Sequence, residues 1–216
     1  MLRAATLAIV VLGIGVPTAS GAKGHRRHIP QCPPPHAEIL EADSRAILYT
    51  TGAHSEYARM AACAHGFPHP FVLAECEELD CEGPWPEREV LAGAVIAYEL
   101  SSSGVDKYGI KVGTARRVIV LANVVTGLIL NKTVPPANTG SLTALVATPA
   151  GAAAWITGVA SGEQVWTMDR LGVHLIAEGP GIAPHSLAIN ETELLSLPAT
   201  TLYWLNEGLP QTAVLE

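Results

Sequence analysis

Four short runs of apolar and β-branched residues, Leu142–Ala147, Ala153–Thr157, Gln164–Asp169 and Val173–Ala177, follow one another closely along the chain. Pro149-Ala150-Gly151, Ala160-Ser161-Gly162 and Arg170-Leu171-Gly172 separate them. Runs this short, bounded by Gly, Pro and Ser clusters, read as strands joined by turns. Echoes of this unit on both sides of it predict a repeat protein.

The echoes are specific. Ala46-Ile47-Leu48-Tyr49-Thr50-Thr51-Gly52 matches Ala152-Ala153-Ala154-Trp155-Ile156-Thr157-Gly158 as small or apolar residues, an aromatic, Thr, then Gly. The same strand returns as Thr201-Leu202-Tyr203-Trp204-Leu205, ahead of Asn206-Glu207-Gly208. A polar turn and a further strand follow each copy: Tyr57–Ala64, Gln164–Asp169 and Gln211–Leu215. A second unit is expected to hold Leu91–Leu100 as an inner strand, then Tyr108–Val112, then Arg117–Val125. Within it, Ile119–Asn123 aligns with Val165–Asp169. Each of these runs reaches a turn glycine, Gly127 or Gly172, and then a short strand, Leu128–Leu130 or Val173–Leu175. Asn and Asp suit that place because their short side chains bond to nearby backbone and start the turn. Ser186–Ile189 parallels Ser141–Ala144 and opens a fourth unit. The copies lie roughly 45 to 51 residues apart.

The N-terminus carries an export signature. Arg3 precedes an unbroken apolar run, Ala4–Val16. Pro17 ends the run, and Ala19-Ser20-Gly21-Ala22 offers small residues for cleavage. Residues 1–22 are therefore expected to be a signal peptide cut after Ala22, with Gly21 the neighbouring choice. The run is shorter than the about 20 residues a membrane span needs, and no later window reaches that length. Residues 23–44 read as a Pro-rich leader (Pro30, Pro33, Pro34, Pro35). Within it, Glu38–Ser44 is a helical turn or a poor strand. The four cysteines, Cys32, Cys63, Cys76 and Cys81, suit two disulfides in an oxidising compartment. Sequence allows three pairings; the preferred one joins Cys32 to Cys63 and Cys76 to Cys81. Zinc is disfavoured because Cys76 and Cys81, with four residues between them, are not matched by a second tight Cys pair.

Charge is sparse outside residues 75–89, and the chain is rich in Ala, Val, Leu, Thr and Gly. That balance favours an all-β fold with covered sheet faces over amphipathic helices, which need a charged side. The net charge of -7 argues against nucleic acid, whose binding needs basic clusters. His25-Arg26-Arg27-His28 is the one such cluster, and it lies in the leader. Four strands per unit at this period are the sequence signature of propeller blades. Over residues 45–216 the strand, Asn or Asp, turn Gly, strand pattern and the aromatic strand resemble the degenerate β-propeller repeats of exported bacterial proteins, WD40-like or quinoprotein-like. The resemblance implies a β-propeller-like array of about four units and no particular activity, since no Trp-Asp dipeptide occurs. Ile39–Ala42 or the leader would complete the last blade. A two-sheet β-sandwich is the alternative.

Candidate chemistry is thin. G-x-S-x-G and H-E-x-x-H are absent. His185-Ser186 pairs a base with a hydroxyl in sequence, but adjacent strand residues face opposite ways. His65 and His69, with His54, would make a loop metal site only against Gly66 and Pro68. Trp155, Trp166, Trp204, Tyr49 and Tyr203 are expected to fill gaps between sheets. Residues 75–89 hold seven acidic residues and read as an exposed inserted loop. There Trp85 lies between two prolines and amid Glu77, Glu78 and Asp80, the pattern of a recognition tip. Asn131-Lys132-Thr133 and Asn190-Glu191-Thr192 fit the glycosylation acceptor pattern, which matters only on a eukaryotic route. The expectation is a secreted, non-catalytic binding or scaffold module for a partner protein or envelope glycan. It takes no cofactor, no nucleic acid and no membrane span after signal cleavage. The rival is an enzyme on the same scaffold, with a quinone, metal or sugar at its centre.

Overall fold

The computed structural model describes residues 31–52, 58–76, 85–102, 116–136, 139–192 and 199–215. The described residues form strands and turns and no helix, arranged as four antiparallel sheets, none of them closed. The first sheet is β1 (Glu38–Ala42), β2 (Ala46–Thr51), β3 (Ala58–Ala64) and β4 (Phe71–Cys76). The second is β5 (Trp85–Ala92), β6 (Val95–Ser102), β7 (Arg116–Asn123) and β8 (Leu128–Thr133). The third is β9 (Leu142–Ala147), β10 (Ala153–Val159), β11 (Gly162–Asp169) and β12 (Gly172–Gly179). The fourth is β13 (Ala188–Thr192), β14 (Ala199–Asn206) and β15 (Leu209–Leu215). In every sheet the strands lie in chain order. The first strands also run beside one another in sequence: β1 against β5, β5 against β9, and β9 against β13.

The sheets stack through three apolar layers. Leu48, Met60 and Ala62 of the first sheet meet Ile96, Tyr98 and Val120 of the second. Val95, Ala97, Ile119 and Leu121 on the other face of the second sheet meet Trp155 and Met168 of the third. Ala154, Ile156 and Val165 on the other face of the third sheet meet Leu202 and Trp204 of the fourth. A strand in the middle of such a stack is buried on both sides, so it reads as a continuous apolar run rather than an alternating one. Ile119, Val120, Leu121 and Ala122 are all within 1% of complete burial. The far face of the first sheet (Tyr49, Ala61, Cys63) is covered by Cys32 and Ala37. The Cys32–Cys63 disulfide fixes that cover in place.

The first three sheets share irregularities in their ladders. Each of the first three sheets has a β-bulge in its first strand, at Leu40, Glu87 and Thr143. Each also has one in its fourth strand, at Leu73, Leu130 and Ile176. Bulges bend and twist a strand locally, and here they fall in the first and fourth strands of all three sheets. The turn chemistry recurs as well. Asn123 Oδ1 accepts hydrogen bonds from the Val125 and Thr126 amides, each at 3.0 Å. Asp169 Oδ1 accepts one from the Leu171 amide at 2.8 Å. Gly127 (φ 70°) and Gly172 (φ 121°) supply the left-handed backbone that follows.

Several sequence-based expectations are corrected here. Leu91–Leu100 is two strands: the chain turns at Gly93 (φ 59°) between β5 and β6. Sequence missed this turn because β6 is buried on both faces and merges with Leu91 into one apolar run. The acidic insertion is narrower than 75–89, since β4 continues to Cys76 and β5 begins at Trp85. Ile39–Ala42 does not complete the last sheet; β1 pairs with β2 in the first. The two-sheet sandwich gives way to four sheets. The expected strand Tyr108–Val112, the signal peptide and the basic cluster lie outside the described residues. Among those described, no helix is long and apolar enough to cross a membrane.

Two stability measurements follow. Trp155 is fully buried and stacks on Trp166 at 6.3 Å between ring centroids. Trp155→Ala should lower the unfolding free energy by about 3–5 kcal/mol, read by urea denaturation. The Cys32–Cys63 link spans 31 residues. Cys32→Ser should cost about 2–4 kcal/mol, and added reductant should bring no further loss from this link.

Candidate functional site

β5 and β9 lie side by side where the second and third sheets meet, and a cleft of 270 Å³ opens there. Glu87, Arg88, Glu89, Val90 and Leu145 line it. The bulge in β5 falls at Glu87, between Pro86 and Arg88. It resets the alternation so that Arg88 and Val90 share the face of Ala97, toward the third sheet, while Glu89 shares that of Tyr98, toward the first. Arg88 stands opposite Glu99 of β6, and Glu99 opposite Ile119 of β7. Arg88, Glu99 and Arg117 thus continue, at its end, the face that further along carries Val90, Ala97 and Leu121.

Glu99 is 1% exposed. Its Oε1 lies 3.7 Å from Arg117 Nε but has no hydrogen-bond partner. Burial raises its pKa above the ordinary 4.5; Arg117 opposes that rise, Glu87 adds to it, and Arg88 opposes it. The arginines also stitch the two sheets. Arg117 Nη1 donates to the Gly140 carbonyl, and Arg88 Nη1 donates to the Thr143 carbonyl at 3.5 Å. Thr157 Oγ1 donates to the same Gly140 oxygen at 2.9 Å. Much of the positive charge beside the cleft is therefore committed to holding sheet against sheet.

Carboxylates do a related job one sheet earlier. Glu41 Oε2 accepts from the Leu91 amide at 2.9 Å, and Asp43 Oδ2 accepts from the Gly93 amide at 2.5 Å. These bonds tie the first sheet to the end of β5 and to the turn that follows it. Burial raises the pKa of Glu41, with the Leu91 amide opposing and Asp43 adding. Burial also raises that of Glu89, to which Glu41 contributes repulsion.

The residues singled out from sequence are placed unevenly. Cys32 and Cys63 are bonded as expected. Glu77, Glu78, Asp80 and Cys81 lie outside the described residues, and with them the Cys76–Cys81 pairing. Cys76 ends β4, opposite Ala58. Trp85 starts β5, its backbone opposite Ser101, so it belongs to a strand end rather than a loop tip. Trp155 and Trp204 are buried, and Trp166 packs partly buried against the second core layer. His65 and His69 are exposed on a turn, and His54 is not described. No three His, Cys, Asp or Glu side chains are grouped to hold a metal among the described residues. Ser186 Oγ donates to the Ala183 carbonyl at 2.7 Å and accepts from the Leu205 amide at 3.0 Å. It braces a turn and is not aligned by His185. Asn131, in one of the acceptor motifs, reaches from β8 to the Asp169 carbonyl at 3.5 Å.

Sequence reasoning missed Glu99, Arg88 and Arg117. A lone Glu between Tyr98 and Leu100 in an apolar run was the available signal, because a buried acid requires a partner.

No protein-family model matches this chain, and no curated protein matches its sequence.

Glu99 gives a pH prediction. A carboxyl whose folded pKa lies above its unfolded value binds more protons when folded. Its contribution is therefore most favourable below the unfolded pKa and is lost as pH rises through the folded one. Glu41 and Glu89 act in the same direction. Glu99→Gln should flatten the decline in Tm as pH is raised from 4 to 7 (about the window set by the ordinary value), measured by thermal melts against wild type.

Proposed function

We propose that this protein is a secreted, non-catalytic binding module on a β-propeller-like scaffold, recognising a partner protein or a glycan of the cell envelope. The observation that carries this reading is the cleft between β5 and β9. It is open and bordered by charge, and it is built on strands rather than on loops. Arg88 and Arg117 are held by carbonyls of the neighbouring sheet, and Glu87 and Glu89 are the acidic residues among those that line the opening. Such a surface presents fixed acidic groups to cationic or hydroxyl-rich ligands. Export is supported by the apolar N-terminal run and by the Cys32–Cys63 disulfide, since disulfides persist in oxidising compartments. The propeller-like reading is supported by four sheets whose strands follow chain order and whose first strands lie side by side.

One observation favours the enzyme reading. Glu89 and Glu99 are carboxyls with raised pKa beside a cleft, and such groups serve acid–base chemistry.

The test uses the oxidised, signal-free protein as bait against envelope fractions and a glycan array. The double variant Glu87→Lys, Glu89→Lys should weaken the enriched interaction at least about tenfold, or about 1.4 kcal/mol, while the circular dichroism spectrum is kept. Undiminished binding by the folded variant removes the cleft from the recognition surface. Turnover of an envelope glycan that is abolished by Glu89→Gln replaces this reading with the enzyme.

A further inference from the structure

The first three sheets have four strands each and the last has three. By order in the sheet, β15 corresponds to β3, β7 and β11, which are paired on both sides. Among the described residues, β15 pairs with β14 alone. The sequence of β15, Leu-Pro-Gln-Thr-Ala-Val-Leu, contains no charge to discourage a neighbour. Leu209 and Val214 are each 64% exposed, while Ala213 and Leu215 pack on the third core layer.

The register shows which backbone groups are unpaired. Asn206 and Leu209 close the β14–β15 hairpin around Glu207 (φ 54°) and Gly208 (φ 77°). Left-handed backbone at both central positions is the type I′ hairpin turn. Its closing pair is hydrogen-bonded, and pairs alternate from there. Gln211, Ala213 and Leu215 therefore bond to β14. Pro210, Thr212 and Val214 direct their backbone groups outward, and Pro210 has no N–H to lose there. Thr212 and Val214 form a short unblocked edge.

The other sheets show what chemistry fits beside such a strand. Each fourth strand is antiparallel, aliphatic at its centre, and bulged at an aliphatic residue: Leu73 in Phe71–Cys76, Leu130 in Leu128–Thr133 and Ile176 in Gly172–Gly179. Ile176 and Ala177 of β12 extend the same core layer on which Ala213 and Leu215 lie, so a strand beside β15 would continue an interface already formed. The described part of the chain has no strand to give. Each is paired in its own sheet, and the disulfide holds the leader on the first.

We propose that the open edge of β15 is an acceptor for an extended segment of a partner polypeptide, uncharged and aliphatic at its centre, which adds antiparallel as the fourth strand of the last sheet. This rests on the binding-module reading and names the kind of partner. Backbone hydrogen bonds to Thr212 and Val214 supply affinity, and alternate side chains supply selectivity.

The probe is a labelled peptide copying residues 126–134 (TGLILNKTV), which contains a natural fourth strand, followed by fluorescence anisotropy. Thr212→Pro and Val214→Pro each remove an outward N–H in the register class where Pro210 already stands, so the β14–β15 ladder is retained. Wild-type protein should bind the peptide saturably, either proline should weaken binding at least about tenfold, and Leu130→Asp in the peptide should do the same. Glu87→Lys, Glu89→Lys should bind it unchanged, which separates this acceptor from the cleft. Absence of binding at millimolar peptide overturns the proposal, as does equal binding by proline variants with native circular dichroism. A wild-type dimer that Thr212→Pro converts to monomer, with no peptide competition, overturns it in favour of pairing between two copies.

Discussion

Every sheet in the middle of this stack must serve two cores at once, and the rest of the structure depends on that requirement. β6 meets it by sending Val95 and Ala97 toward the third sheet, and Ile96, Tyr98 and Leu100 toward the first. β10 does the same with Ala153 and Trp155 on one side and Ala154 and Ile156 on the other. Burial of apolar area at roughly 25 cal/mol per Å² then favours assembly only when the neighbouring sheets are in place. Charge is excluded from these faces except at their ends, and there it has to be matched.

Glu99 is where that matching is incomplete. It occupies a position that the alternation of β6 assigns to the core between the second and third sheets, yet it is a carboxyl. Arg117 lies beside it and also reaches the Gly140 carbonyl, while Arg88 opposite it reaches that of Thr143. A buried ion pair of this kind is weak evidence for added stability, because desolvation offsets the attraction. Its evident effect is positional. Arg88 ties β5 to β9 at the mouth of the cleft, and Arg117 ties β7 to the residue that leads into β9. Scaffold and candidate site share their residues here.

How much of this was legible in the sequence varied with the kind of signal. Where a strand ended in Asn or Asp and a turn glycine, as at Asp169 and Gly172, the limits were nearly right, because the turn chemistry is local. β9, bounded by Gly140 and Pro149, was read with its exact ends. Where the apolar end of β5 ran into the apolar β6 and the turn between them held only Gly93 and Ala94, the two were read as one strand. The cleft was invisible because its residues come from β5 of one sheet and β9 of the next, and the β5 bulge at Glu87 sets their directions. Trp155 and Trp204 were legible as packing because each lies within an apolar run, and both are buried. The disulfide between Cys32 and Cys63 was preferred among three pairings on the expectation that it pins the leader to the first unit, and that is where it lies.

The meander topology has a kinetic side. Every strand pairs with its neighbour in sequence, so each sheet closes short loops, and little chain entropy is spent before its contacts form. The first sheet, with the Cys32–Cys63 loop complete within its first three strands, can assemble before the residues of the third and fourth have been synthesised. Each later sheet then finds an apolar face waiting for it. Growth along such a stack is directional. Among the described residues the stack reaches β15, whose outer edge has the same place in its sheet as the edges of β3, β7 and β11 on which β4, β8 and β12 are laid.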